Sequence, residues 1–216
     1  MTTESTTTRG TGSVDWRRAE FMLTLFGFLG FVTVAVRITT IYSGLPAHPL
    51  IIHVPVVLIP LSILGSLACL YRPAWFTRYG ILLCSVAVVA MSSIFLALQS
   101  GAALRGVLNL QGPAAQLINQ HSQAAHILAF VFVAFTAVLI LAFAATRISG
   151  EAGPTGLAIV DQTLSARSTL LALRALLVVL ALASAFWIFR VGDLGAKAVW
   201  QGRIQAAQAQ TGPAGC

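Results

Sequence analysis

Long apolar runs separated by short polar breaks extend through the chain, and each apolar run has the length of a membrane-spanning helix. A helix needs about 20 apolar residues to cross the hydrocarbon core of a bilayer. The runs predict five spans, at 19–42, 49–71, 79–100, 122–146 and 169–191. We therefore expect an all-α, polytopic membrane protein with five transmembrane helices.

The segments outside these runs predict how the chain is divided. Residues 1–18, rich in Thr and Ser, predict a disordered cytoplasmic tail, and residues 201–216, rich in Ala and Gln, predict a flexible C-terminal tail. Between them, 19–42 is expected to be an additional transmembrane helix and 45–200 a four-helix membrane domain with a histidine-bearing core. The connection 101–120 carries scattered apolar residues, which favour a short helix at the membrane interface.

The second span contains two prolines, Pro55 and Pro60. Proline has no backbone N–H, so each leaves the carbonyl four residues earlier, at Ile51 and Val56, without its helical partner. A carbonyl freed in lipid must find another partner. We therefore expect this helix to be kinked and packed against protein or a cofactor at that depth.

Composition and charge narrow the classes of partner. The chain is 57% hydrophobic and 9% charged, whereas a soluble domain carries about 25% charged residues, so the lipid bilayer is the expected partner. The net charge of +7 is spread along the loops and forms no patch for nucleic acid. Five spans put eight arginines on the N-terminal side and five Arg or Lys residues on the other. The positive-inside rule then predicts a cytoplasmic N-terminus and an external C-terminus.

All four histidines of the chain fall into two pairs with the same spacing. His48 and His53 begin the second span, and His121 and His126 begin the fourth. The alternation of spans places both pairs on one side of the membrane, predicted to be the outer side. A five-residue step turns a helix by about 140°, so we expect one member of each pair to face the bundle axis. Ionisable residues in spans are costly and mark functional sites by default.

Two deep histidines on facing helices fit the axial ligands of one b-type haem. We expect His53 and His126 to be the metal ligands, because they lie five residues deeper than their partners and in apolar surroundings. His48 and His121 would then bind the haem propionates or a quinone. Three cationic residues are predicted at the same depth in the membrane as the histidines and would pair with the propionates: Arg37, Arg105 and Lys197.

Two other interpretations of the histidines remain open. Three or four of them would hold one Cu or Zn ion, since imidazole suits both metals. Alternatively, they are interfacial polar residues that hydrogen-bond the carbonyls freed by Pro55 and Pro60. The chain has no Walker loop, dinucleotide fingerprint or nucleophile elbow, which leaves hydrolytic catalysis without support.

The segment from Leu45 to Pro55 contains the motif H-P-x-x-x-H-x-P at the head of a span. It resembles an uncharacterised bacterial family of four-helix integral membrane proteins. That family also has a histidine early in its third helix, as at His126. It has a Gly-rich motif after its fourth helix, which Gly192–Ala196 resembles. Family members often have a second glycine at the position where this chain has Ala196. The resemblance covers about residues 45–200 and implies the bacterial inner membrane. Some members are joined to Rieske iron–sulfur or cytochrome c domains, which implies electron transfer by analogy.

These patterns together predict a membrane-embedded, b-type cytochrome-like subunit of a respiratory complex rather than a stand-alone enzyme. It would bind one haem between two helices near the outer face. It would pass electrons between a quinol pool and another membrane or exported redox protein. The alternatives are a non-redox accessory subunit of a larger membrane complex and a Cu- or Zn-binding membrane protein.

Overall fold

The computed structural model describes residues 22, 25–26, 41–42, 45–108, 111–148, 162–163 and 166–210. A short antiparallel pair comes first, in which β1 (Ile41–Tyr42) lies beside β2 (Leu45–Pro46). Among the described residues, the helices with defined bounds that follow are α1 (His48–Ile51), α2 (His53–Tyr71), α3 (Pro73–Val107), α4 (Gly112–Ile148) and α5 (Arg167–Gln210). The prediction of an all-α fold is confirmed, since helices account for nearly all of the described residues.

Four helical stretches of the described residues are long and apolar enough to cross a membrane: His48–Tyr71, Pro73–Val107, Gly112–Ile148 and Arg167–Ile204. They correspond to the second to fifth predicted spans, so the described part of the chain has one span fewer than the five predicted. The first predicted span, 19–42, lies outside the described residues for most of its length. Its last two residues are described and form β1, so the predicted helix end at residue 42 is wrong.

An interruption at Ile52 separates α1 from α2. The nitrogen of Pro55 has no hydrogen to donate to the carbonyl of Ile51. Helical hydrogen bonding therefore lapses there, although Ile52 keeps right-handed helical angles (φ −62°, ψ −19°). Helix α2 continues through Pro60. Of the two prolines from which a kink is predicted, Pro55 thus coincides with an interruption of helical hydrogen bonding and Pro60 does not.

The last three helices are longer than the hydropathy of the chain predicts. Helix α3 runs to Val107 and α4 begins at Gly112, so the separate interfacial helix predicted in 101–120 is wrong. Gly112 has φ +69°, a left-handed conformation that glycine adopts without steric cost. Helix α5 reaches Gln210, so it continues well past the predicted exit at residue 191. Apolar runs mark where the lipid ends, whereas a helix can continue into water.

The four spans form a bundle in which consecutive helices are neighbours and α2 closes the ring against α5. Helices α4 and α5 make the most extensive contact, and α2 and α4 stand diagonally across the bundle axis. Large apolar side chains on the outside of α2 and α5, such as Leu61 and Leu182, are exposed, as expected for contact with lipid. The core contains apolar residues from all four helices: Ile59, Cys84, Ala87, Phe132, Phe135, Leu139, Leu177 and Ala181.

Consecutive helices run in opposite directions, which brings distant parts of the chain to one end of the bundle. His48, Ser100, His121 and Val191 lie together at this end, which we name the histidine end. The opposite end holds the connection between α2 and α3 and the start of α5. Both histidine pairs therefore lie at the same end of the bundle, in agreement with the alternation of spans.

Candidate functional site

His48 and His121 meet across the bundle axis at the histidine end. Their ring centroids are 6.4 Å apart and the ring planes make an angle of 84°. His48 begins α1, which leads into α2, and His121 lies in α4, so the two rings come from diagonally opposed helices. Both side chains are half-buried. The fold therefore brings together two imidazoles that are 73 residues apart in sequence.

The tautomer of His48 follows from its hydrogen-bond partner. Nδ1 of His48 lies 3.0 Å from Oγ of Ser100. The Ser100 hydroxyl donates its own hydrogen to the carbonyl of Ala97, at 3.1 Å, so its oxygen accepts from Nδ1–H of the imidazole. Nε2 of His48 is then the unprotonated nitrogen and keeps its lone pair.

His121 is held in the same tautomer by α5. Its Nδ1 lies 2.9 Å from the carbonyl oxygen of Val191. A carbonyl can only accept, so Nδ1 carries the hydrogen and Nε2 keeps the lone pair. Within the described part of the chain, no hydrogen bond engages Nε2 of either His48 or His121. The site thus presents two imidazoles, each with one nitrogen anchored and the other available to a ligand.

Two glycines allow the neighbouring helices to approach the rings. A Cβ atom on Gly101 of α3 would lie 3.0 Å from Cε1 of His48. A Cβ atom on Gly195 of α5 would lie 3.2 Å from Cε1 and Nδ1 of His121. Both separations are tighter than ordinary van der Waals contact, so side chains at these positions would push the rings out of place.

His53 and His126, predicted to be the metal ligands, are exposed on the outside of the bundle. Nδ1 of His53 lies 3.3 Å from the carbonyl of Leu50, and Nδ1 of His126 lies 2.7 Å from the carbonyl of Ser122. Each ring is therefore bonded to a carbonyl three or four residues back in its own span. One member of each pair does face the bundle axis, as expected, and the inward members are His48 and His121 rather than His53 and His126.

The buried stripe of each helix explains this reversal. Steps of 11, 14 and 18 residues are close to whole helical turns of about 3.6 residues, so they connect positions on one face. From His48 these steps reach the buried residues Ile59, Ser62 and Ser66, and from His121 they reach the buried residues Phe132, Phe135 and Leu139. His53 and His126 lie about 140° away from these stripes, which turns them outward.

The predicted cations have partners other than the histidines. Arg105 donates to the side-chain oxygen of Asn119 at 3.0 Å. Lys197 pairs with Asp193 at 2.9 Å, and Asp193 also lies 3.5 Å from Arg190. Among the described contacts, none joins Arg105 or Lys197 to either inward ring. Arg37 falls outside the described residues.

Neither alternative interpretation of the histidines matches the contacts of the described residues. The described residues hold no group of three or more side chains that could bind a metal ion, so the structure gathers two histidines and not the three or four expected for a Cu or Zn site. The carbonyls that Pro55 and Pro60 free belong to Ile51 and Val56. The hydrogen bonds described for the four rings go to other acceptors.

Comparison with protein-family models places most of the chain in a known family. A family model described as "Predicted membrane protein (DUF2231)" matches residues 44–208. The matched segment begins just before His48 and includes all four spans of the described residues. No curated protein and no solved structure matches the chain.

Proposed function

The chain belongs to this family of membrane proteins, and from that premise we propose that it is a membrane-embedded electron-transfer subunit that binds one b-type haem through His48 and His121. The observation that carries the proposal is the convergence of two imidazoles with anchored Nδ1–H groups and available Nε2 lone pairs. This assignment replaces His53 and His126 as the axial ligands.

The hydrogen bonds of the two rings support metal ligation. Imidazoles that bind a metal usually donate their other N–H to a carbonyl or another acceptor, which fixes the tautomer and the orientation of the ring. His48 does so to Ser100 at 3.0 Å, and His121 does so to Val191 at 2.9 Å. Neither ring therefore needs a change of tautomer to present Nε2 to a metal.

The separation of the rings also fits one shared metal. A metal–nitrogen bond of about 2.0–2.1 Å places two in-line ligand nitrogens roughly 4 Å apart and their ring centroids roughly 6.5 Å apart. The observed centroid separation is 6.4 Å. Two imidazoles at this separation could hold one haem from its two faces, whereas a bare ion would need further ligands from water because the described residues supply no third one.

The surroundings of the rings are suited to a macrocycle with charged edges. Helices α3 and α5 flank the plane between the two histidine-bearing helices, and each has a glycine, Gly101 or Gly195, at the level of the rings. Arg105 lies one turn beyond Gly101, and Lys197 lies two residues beyond Gly195, so both are candidates to pair with the propionates. When bound, the haem would supply one-electron transfer, between a quinol pool and a redox protein at the histidine end.

A visible spectrum of the full-length protein tests the proposal. Protein purified from cells supplied with ample haem is expected to show a Soret band, a reduced α band and close to one haem per chain. A colourless protein that also fails to take up added haemin would overturn the proposal. Elemental analysis of the same sample identifies the bare-metal alternative, which requires near one Cu or Zn per chain without a Soret band.

A non-redox accessory subunit is the second candidate function. Helices α2 and α5 have exposed apolar faces, and Leu64 and Phe189 are among their most exposed side chains. These faces favour docking of the helices to a larger membrane complex. Such a subunit would purify colourless and metal-free. It would also tolerate alanine at all four histidines with a modest loss of stability.

A further inference from the structure

Helix α5 projects out of the membrane at the histidine end. Leu182 lies midway between Arg174 and Arg190, the charged residues that bracket the apolar part of this helix. Trp200 is 18 residues beyond Leu182, which is about 27 Å along the axis at 1.5 Å per residue. The hydrocarbon and headgroup layers together extend about 20–22 Å from the midplane. An average helix tilt of about 20° shortens the rise by only about 2 Å, so Trp200 stands in water.

One face of this projecting segment combines apolar and cationic side chains. We name it the C-terminal face and define it by Lys197, Trp200, Arg203 and Ile204, whose spacings of three and four residues place them on one side of the helix. Trp200 is 56% exposed and Ile204 is 52% exposed. The guanidinium of Arg203 stacks over the Trp200 ring, 5.6 Å from its centroid. An exposed Trp with an Arg beside it has the composition of a protein-binding surface.

The charge of the histidine end indicates what kind of partner the C-terminal face would bind. Asp193 is the only acidic residue after residue 161, and no acidic residue occurs between residues 21 and 150. Asp193 is engaged by both Arg190 and Lys197. The histidine end therefore presents an excess of positive charge, which repels a second copy of the same surface and attracts an acidic one. Lipid headgroups do not reach Trp200, so a water-soluble partner fits better than the bilayer.

We propose that the C-terminal face binds an acidic, water-soluble redox protein and holds it at the histidine end. Gly195, which contacts the ring of His121, is five residues from Trp200, or about 7.5 Å along the helix. A protein bound to this face therefore lies close to the histidine end. The redox character of the partner rests on the proposed function, whereas the docking itself does not require haem.

Binding to the full-length protein in nanodiscs of zwitterionic phosphatidylcholine tests the proposal. The probes are cytochrome c, which is basic, and the same protein with its lysines succinylated, which is acidic. The succinylated form is expected to bind at least tenfold more tightly than the native form. Its affinity is expected to fall at least tenfold between low and moderate salt.

Variants localise the interaction. Trp200→Ala and Arg203→Glu are each expected to weaken binding of the succinylated probe at least tenfold. The matched controls are Tyr79→Ala and Arg78→Glu, which remove a similar exposed pair at the opposite end, where the Arg78 guanidinium lies 5.4 Å from the Tyr79 ring. The controls are expected to bind as the wild type does.

Three results would overturn the docking proposal: equal binding of the two probes, unchanged binding by Trp200→Ala and Arg203→Glu, or dimers of the wild type that Trp200→Ala abolishes. Failure of the haem proposal is distinguishable from these results. A colourless protein that binds the acidic probe through this face would keep the docking surface and lose the haem. A protein that contains haem but does not bind the acidic probe would keep the haem proposal and overturn the docking surface.

Discussion

At the scale of single residues, the position of each histidine ring depends on which oxygen accepts from its Nδ1–H group. All four rings have Nδ1 bonded to an oxygen, but His48 and His121 are bonded to a different helix from their own, through Ser100 and Val191. A bond to a second helix fixes a ring against the bundle. The bonds of His53 and His126 go to carbonyls three or four residues back in the same span and leave those rings outside the bundle.

Removal of the Ser100 hydroxyl tests this view. Ser100→Ala removes the side-chain hydroxyl that accepts from Nδ1–H of His48, and loss of such a support typically weakens metal affinity by about 10- to 100-fold. Haemin titration of the purified protein is expected to show a decrease of this size, and Ser100→Thr is expected to restore the affinity. Ser93→Ala removes a similar hydroxyl, bonded to its own helix at Ala90, and serves as the control. Equal effects of the Ser93 and Ser100 variants would indicate a loss of packing only.

The pattern of small and large residues indicates which histidine faces inward in the span that contains α2, but it does not do so in α4. Small residues face other helices in membrane bundles, and in α2 the stripe in line with His48 contains Ser62 and Ser66, which are buried. In α4 the stripe in line with His121 contains Phe132 and Phe135, whose burial depends on how α3 and α5 pack around them. The inward position of His48 could therefore have been predicted from sequence, whereas the choice of His121 over His126 required the tertiary packing.

At the scale of helices, close contact between α3 and α4 depends on a glycine near the opposite end. Gly80 lies against the ring of Phe143, and a Cβ atom at this position would overlap that ring. Phe76, one turn earlier in α3, stacks on the same ring, with its centroid 6.1 Å from that of Phe143. Hydropathy located the spans that contain these residues, but it could not show which glycine lies in a contact.

Gly80→Ala is expected to destabilise the protein. Overpacking of a tight core contact typically costs about 1–3 kcal/mol, and Phe143 is too well buried to move freely. Thermal unfolding in detergent is expected to occur at a lower temperature than in the wild type. Gly106→Ala is the control in the same helix, because a Cβ atom there meets nothing within 4 Å. An unchanged unfolding temperature for Gly80→Ala would show that α3 and α4 do not pack in this way.

At the scale of the whole molecule, the antiparallel order of four spans creates the site. The beginning of α1, the later parts of α3 and α5 and the early part of α4 are far apart in sequence and meet at the histidine end. The sequence predicted this meeting from the alternation of spans. It could not predict the extensions of the helices into water, because polar residues at the end of a helix do not distinguish a turn from a longer helix. The outward orientation of this end stays a prediction from the distribution of arginine.

The visible spectra of the four single histidine variants test the central claim most directly. His48→Ala and His121→Ala are each expected to abolish the low-spin Soret and α bands, because each removes one axial ligand. His53→Ala and His126→Ala are expected to keep the wild-type spectrum and haem content, since both rings lie outside the bundle. Loss of the spectrum in the His53 or His126 variant, with the His48 and His121 variants unchanged, would contradict the account.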